Sequence, residues 1–182
     1  MEHNELDALL IATSKGDNLA FAQFYEKTIK GVYVFAYSYL KEKTQAEDIS
    51  QETYLQVKLK AHTYRAGSNA RAWLLQIVKN LCIDEIRKKS RIEKNVADEK
   101  EYQNASYSPF DEGSAVEYML NVLTEEEKQI VIMHVFWGYK HKEIAKELSK
   151  PLGTVLWKYN GAIKKLKSYK EEVRKLSIFS KQ

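Results

Sequence analysis

The sequence predicts an all-α protein: two small helical domains joined by a flexible acidic linker, the C-terminal domain a helix-turn-helix. Three observations carry this prediction. Only 7 Gly and 2 Pro occur in 182 residues, and apolar residues recur at helical spacing with no strand-length alternation. Residues 92–113, IEKNVADEKEYQNASYSPFDEG, sustain no apolar face and contain Ser108-Pro109. Charge is also sorted by segment: residues 1–90 carry 13 basic and 11 acidic side chains, residues 91–117 carry 3 and 7, and residues 118–182 carry 13 and 7. The boundaries are therefore 1–91, 92–113 and 114–182. Two basic modules on an acidic tether suit a polyanionic partner.

Element by element, helical patterns run over about 5–14 and 18–40, separated by Lys15-Gly16-Asp17. The second is rich in aromatics (Phe21, Phe24, Tyr25, Tyr33, Phe35, Tyr37, Tyr39), most of them core candidates. A third helix is expected over about 44–63, with Thr44 as N-cap and Glu47 completing a capping box. Arg65 to Asn69 read as a loop, and a long helix follows over about 70–89. In the second domain, helices are expected near 114–122, 125–137, 140–148 and 151–175. Thr124 and Glu127 form a capping box, with acids at the positive end of the helix dipole.

Several function classes lose support. Cys82 is the sole cysteine and lies in an apolar helical run, as a buried inert thiol would. The four histidines form no metal-ligand spacing, and no phosphate-binding glycine loop or nucleophile signature occurs. No enzyme activity, metal or cofactor is expected. No stretch approaches the ~20 apolar residues of a membrane span, and MEHNELDALL lacks signal-peptide character, so a cytoplasmic protein without membrane insertion is expected.

Three constellations remain. In residues 46–61, Ile49, Thr53, Val57 and Ala61 suit the core, whereas Asp48, Gln51, Glu52 and Leu55 line a neighbouring face with Leu59. Acids and amides beside exposed leucines suit a protein-binding helix, or a plain solvated face. In residues 63–91, Trp73, Leu74, Ile77, Val78, Leu81 and Cys82 form the apolar face. Gln76, Asn80, Asp84 and Arg87 align on another, with Lys79, Lys88 and Lys89 beside it. Such a ridge can read base edges while lysines hold phosphates. The loop Ala66-Gly67-Ser68-Asn69, preceded by Tyr64 and Arg65, has the polarity to accept an unstacked base, or is an ordinary loop. Finally, residues 142–159 form two short helices around Ser149-Lys150-Pro151, a helix-turn-helix pattern. Val155, Tyr159, Ala162, Ile163 and Leu166 are expected inward, and Thr154, Trp157, Lys158 and Gly161 outward, followed by Lys164, Lys165 and Lys167.

In this order, AEDISQETYLQV, RAWLLQIVKNLCIDEIRKKSR and LTEEEKQIVIMHVFWGYKHKEIAKELSKPLGTV resemble an alternative sigma factor of bacterial RNA polymerase, of the extracytoplasmic-function (ECF) type. The resemblance implies a partner, core RNA polymerase, contacted through the clamp of its largest subunit and the flap of its second largest. Asp48, Gln51, Glu52 and Leu55 would dock on the clamp. Tyr64, Arg65, Ser68, Asn69, Arg71, Trp73, Gln76, Asn80, Asp84, Arg87 and Lys88 would serve the promoter −10 element, with a flipped base near residues 65–71. Lys140, Thr154, Trp157, Lys158, Gly161, Lys164 and Lys165 would serve the −35 element. The resemblance further implies an anti-sigma factor, and a linker lying in the polymerase channel near the RNA exit path.

One departure stands out. After Gly153-Thr154-Val155, family members usually continue with basic and small polar residues, whereas Leu156-Trp157-Lys158 follows here. Fewer base-edge donors imply more readout by shape, phosphate contact and thymine methyl packing. The main alternative is a stand-alone helix-turn-helix transcription regulator that binds DNA without polymerase; a helical adaptor is the other.

Overall fold

Burying apolar stripes spaced at helical period produces seven α-helices among the residues that the computed structural model describes. These are 2–95, 118–119 and 121–179 for the backbone, and 5–91, 118–119 and 121–168 for side chains. The chain divides into two compact units, Met1–Glu101 and Tyr102–Gln182. Most of the expected linker, and the start of the helix expected at 114–122, lie outside the described residues.

The first unit holds α1 (Glu2–Ser14), α2 (Asn18–Leu40), α3 (Lys43–Lys60) continued by a 3₁₀ turn (Ala61–Thr63), and α4 (Ala70–Asn95). α4 thus runs several residues past its expected end. Phe24, Leu10, Val32, Val57, Leu74 and Val78 are fully buried, each contributing roughly 1.5–3 kcal/mol of transfer free energy. The aromatic stretch of α2 is core only in part: Phe24 and Tyr37 are buried, whereas Tyr25 is exposed. The α2–α3 seam carries one buried polar link, Thr28 Oγ1 to the Tyr54 hydroxyl at 2.8 Å. Thr28 spends its own hydrogen on the Phe24 carbonyl at 2.6 Å, so Tyr54 donates. Burial raises the Tyr54 pKa, which keeps that donor protonated.

The start of α3 differs from expectation. Glu42, not Thr44, caps it: the carboxylate accepts from Thr44 N and Gln45 N, both at 2.9 Å. A carboxylate one residue outside the first turn satisfies two orphan amides and meets the positive helix end, which a threonine at 44 does not.

The second unit holds α5 (Glu125–Val131), a π-helical turn (Ile132–Phe136), α6 (His141–Glu147) and α7 (Leu152–Phe179). The Thr124–Glu127 capping box forms as expected, with Thr124 N donating to Glu127 Oε2 at 2.9 Å. The single helix expected over 125–137 instead widens into the π turn and stops at Gly138, which has φ +63°. Pro151 stands one residue before α7, and its carbonyl accepts from Thr154 N at 3.0 Å and Val155 N at 3.2 Å. Ile130, Val131, Ile144, Val155 and Ala162 form the core.

Beside that core, the His134 and His141 rings stack at 4.2 Å between centroids, and both meet the Tyr159 ring edge-on at 4.8 and 4.6 Å. His134 Nδ1 lies 2.8 Å from the Tyr139 carbonyl, while His141 Nε2 is buried with no hydrogen-bond partner. Burial, and then the charge of His134, lower the His141 pKa below its usual 6.5. The folded unit therefore binds fewer protons than the unfolded chain just below pH 6.5, and its stability rises with pH there. The urea midpoint of the second unit should fall as pH drops from about 7 to about 5, and His141→Gln should flatten that dependence.

Candidate functional site

Three solvated surfaces stand apart from the two cores. The first is a face of α3. Ile49, Thr53 and Val57 point inward, and Asp48, Gln51 and Leu55 are exposed. Glu52, half-buried, accepts from Gln56 Nε2 at 2.7 Å. Leu55 is 58% exposed and Leu59 66%, so two leucines one turn apart are left in water by this unit.

The second surface runs from the 64–69 loop along α4. Ser68 N donates to the Arg65 carbonyl at 3.0 Å, and Gly67 has φ +80°, a tight turn that favours glycine. Arg65, Ala66, Gly67, Ser68 and Asn69 are exposed. The loop is braced at both ends by one carboxylate, which no local sequence pattern marks. Asp7 of α1 accepts from the Tyr64 hydroxyl and from Ala70 N at 2.9 Å through the same oxygen. Burial, and then the Asp7 bond, raise the Tyr64 pKa to about 12. The Tyr64 ring meets Trp73 edge-on at 5.8 Å.

Asn69 starts α4, its side-chain oxygen accepting from Arg71 N and Ala72 N at 3.1 Å each. The Asn69 oxygen is therefore a cap, and Arg71 is buried. Farther along, Gln76, Asn80, Asp84, Arg87 and Lys88 are all exposed on α4. Gln76 donates to Asn80 at 2.8 Å, and Arg87 and Lys88 make exposed pairs with Asp84 and Glu85 at 3.7 Å, worth little individually.

The third surface is the helix-turn-helix of α6 and α7. Trp157 is 74% exposed, and Lys140 and Lys164 are exposed. Two expected outward residues turn back toward α5. Lys158 Nζ pairs with Glu126 at 2.6 Å, opposite Lys150, which holds the same carboxylate at 2.7 Å. Gly161 faces Glu127, whose Oε1 would lie 3.8 Å from a Cβ there. Lys165 pairs with Glu127 at 2.8 Å. Hydrogen bonds from Lys150 and then Lys158 hold the Glu126 carboxyl down at about 2. Burial opposes ionisation of Glu127, but the Lys165 and Thr124 bonds outweigh it and lower its pKa. Residues 150–165 give α-helical period only; they carry no sign of which lysine meets an acid on another helix.

A four-helix unit with a braced polar loop, followed by a helix-turn-helix unit, has the layout of a sigma-type promoter-recognition factor. The chain matches Sigma-70 region 2 over residues 24–92 and Sigma-70 region 4 over residues 114–155. It is similar to the ECF RNA polymerase sigma factor SigK of Mycobacterium tuberculosis, 27% identical over 177 residues, covering 91% of this chain and 93% of the relative. It is also similar to SigX of Bacillus subtilis, 26% identical, with 85% of each chain covered. In fold it is similar to CnrH, solved with the cytosolic domain of CnrY (19% identity, TM-score 0.57, 92% of this chain and 98% of that one). A second solved fold is RpoE of Bartonella quintana, solved with the anti-sigma factor NepR (24%, TM-score 0.55, 81% and 94%). The chain belongs to the ECF family of RNA polymerase sigma factors: it is an alternative sigma factor that directs promoter-specific transcription initiation. Among the described residues, no helix is long and apolar enough to cross a membrane.

The Asp7 brace has a measurable consequence. Asp7→Ala should strip hydrogen-exchange protection from the Ala70 amide and cost the first unit about 1–3 kcal/mol, because two donors lose their acceptor. Asp7→Asn, which keeps an acceptor oxygen, should restore most of both.

Proposed function

We propose that the α3 face of Asp48, Gln51, Glu52 and Leu55 docks on the clamp of the largest polymerase subunit, and that the second unit meets the flap of the second largest. The observation that carries this reading is the exposure of Leu55 beside Asp48 and Gln51, a surface the core of the unit does not use. On polymerase, the 64–69 loop takes an unstacked −10 base against Tyr64 and Trp73, and the Gln76–Asn80–Arg87–Lys88 ridge follows the duplex upstream. α7 enters the major groove of the −35 element from the side of Thr154 and Trp157, with Lys140 and Lys164 on phosphates. Tethering on polymerase gives two small units the effective concentration that neither reaches alone.

The reading includes an anti-sigma factor that covers these faces between rounds of use, in the cytoplasm. Its support is that the relatives in two solved structures are held in complexes, CnrH with CnrY and RpoE with the anti-sigma factor NepR.

Replacing Asp48 and Glu52 together with Lys should weaken binding to core polymerase at least tenfold, with helicity by circular dichroism unchanged. Unaltered affinity in that double variant would show that docking lies elsewhere. Asn80→Ala should reduce promoter opening more than polymerase binding, since a lost amide contact costs about 1–3 kcal/mol of base discrimination. Permanganate reactivity of the −10 thymines reads the effect directly.

A further inference from the structure

Resting on the reading of α7 as the −35 helix, we infer that its outer ridge, Gly153–Trp157–Asn160–Lys164, selects thymine–adenine pairs. In this scheme Trp157 packs on a thymine C5 methyl, and Asn160 pairs with a neighbouring adenine.

The ridge follows from what the fold has already used. Val155 and Ala162 are buried, Tyr159 covers the histidine pair, Lys158 and Lys165 are drawn onto Glu126 and Glu127, and Gly161 faces Glu127. On the opposite side of the helix, positions i, i+4, i+7 and i+11 from Gly153 form one line, and Trp157, Asn160 and Lys164 on it are exposed. Leu152 and Leu156 flank that line, 42% and 39% exposed. Residues 152–168 contain no arginine, whose guanidinium fork recognises guanine O6 and N7; lysine can meet the same atoms, and Lys164, three turns along the helix from Gly153, is the one assigned to phosphate. Along and beside that line the exposed side chains are an indole, two leucines, one amide, two lysines (Lys164 and Lys167) and Ser168. In the major groove only thymine offers a methyl to the first three, and adenine N6 and N7 are the matching pair for the amide.

Gly153 supplies a separate observation. It sits in the first turn with ordinary helical φ, and nothing lies within 4 Å of where its Cβ would be. Neither backbone conformation nor packing within this unit calls for glycine, which weakens a helix relative to alanine. An outside surface closing against the start of α7, beside Trp157, does call for it.

The test uses the full chain bound to core polymerase and duplexes with randomised −10 and −35 windows, selected for binding. Thymine–adenine pairs should be enriched in the −35 window. Replacing each enriched thymine with deoxyuridine, which removes only the methyl, should weaken binding about fourfold at one position, as expected for a buried methyl. Trp157→Ala should abolish that difference, and Asn160→Ala should lower the adenine preference about tenfold at an adjoining pair. Gly153→Ala should bind more weakly while melting no lower than the parent chain. Enrichment of guanine–cytosine pairs, or equal binding of thymine and deoxyuridine, overturns the inference and leaves α7 as the −35 helix. A −35 window with no enrichment, indifferent to Trp157→Ala, overturns the reading beneath it.

Discussion

The second unit is organised around one nearly buried carboxylate. Glu127 closes the capping box that starts α5, and it receives Lys165 from α7. A Cβ at Gly161 would stand in ordinary contact with that carboxylate, 3.8 Å from its Oε1. A buried ionised group must be paired, and here the pairing fixes the rotation of α7 about its own axis. Once that rotation is set, Lys158 falls toward Glu126, Val155 and Ala162 fall into the core, and Trp157 is left in water. The outward face of the helix is a remainder, defined by which side chains the inward contacts consume.

The first unit follows the same logic with different chemistry. Its helices are joined mainly by apolar burial, and its polar links fall at defined points: Tyr54 to Thr28 across the α2–α3 seam, and Asp7 to the ends of the 64–69 loop. The loop is therefore anchored where it leaves and re-enters the helices and exposed between. Rigid ends with a solvated middle suit a segment that must receive a ligand without refolding its frame.

Much of this was legible in the sequence because apolar spacing at helical period is set by the same burial that forms the core. The Ile49–Thr53–Val57 stripe and the exposure of Trp157 follow from that period, and the Thr124–Glu127 box from a hydroxyl and an acid three residues apart. What escaped is tertiary. Asp7 and Tyr64 stand 57 positions apart, and no local pattern joins them. The charge of Lys158 reads as solvated until Glu126 is brought beside it. Glu42 and Thr44 both suit a helix start, and the choice depends on a two-residue shift that propensity does not resolve. The π turn at Ile132–Phe136 leaves the apolar run continuous, so periodicity alone reads it as an unbroken helix.

Cys82, the sole cysteine, lies in the first core with burial pushing its thiol up to about 12. Sulfur chemistry proceeds through the thiolate, so at neutral pH this side chain is almost silent toward oxidants and alkylating probes. The natural chain is thus a blank background for thiol labelling. A cysteine introduced on the solvated face of α3 and another on the outer ridge of α7 would carry the signal, and a pair of spectroscopic labels there measures the spacing of the two units, free and on polymerase, without removing a native residue from the core.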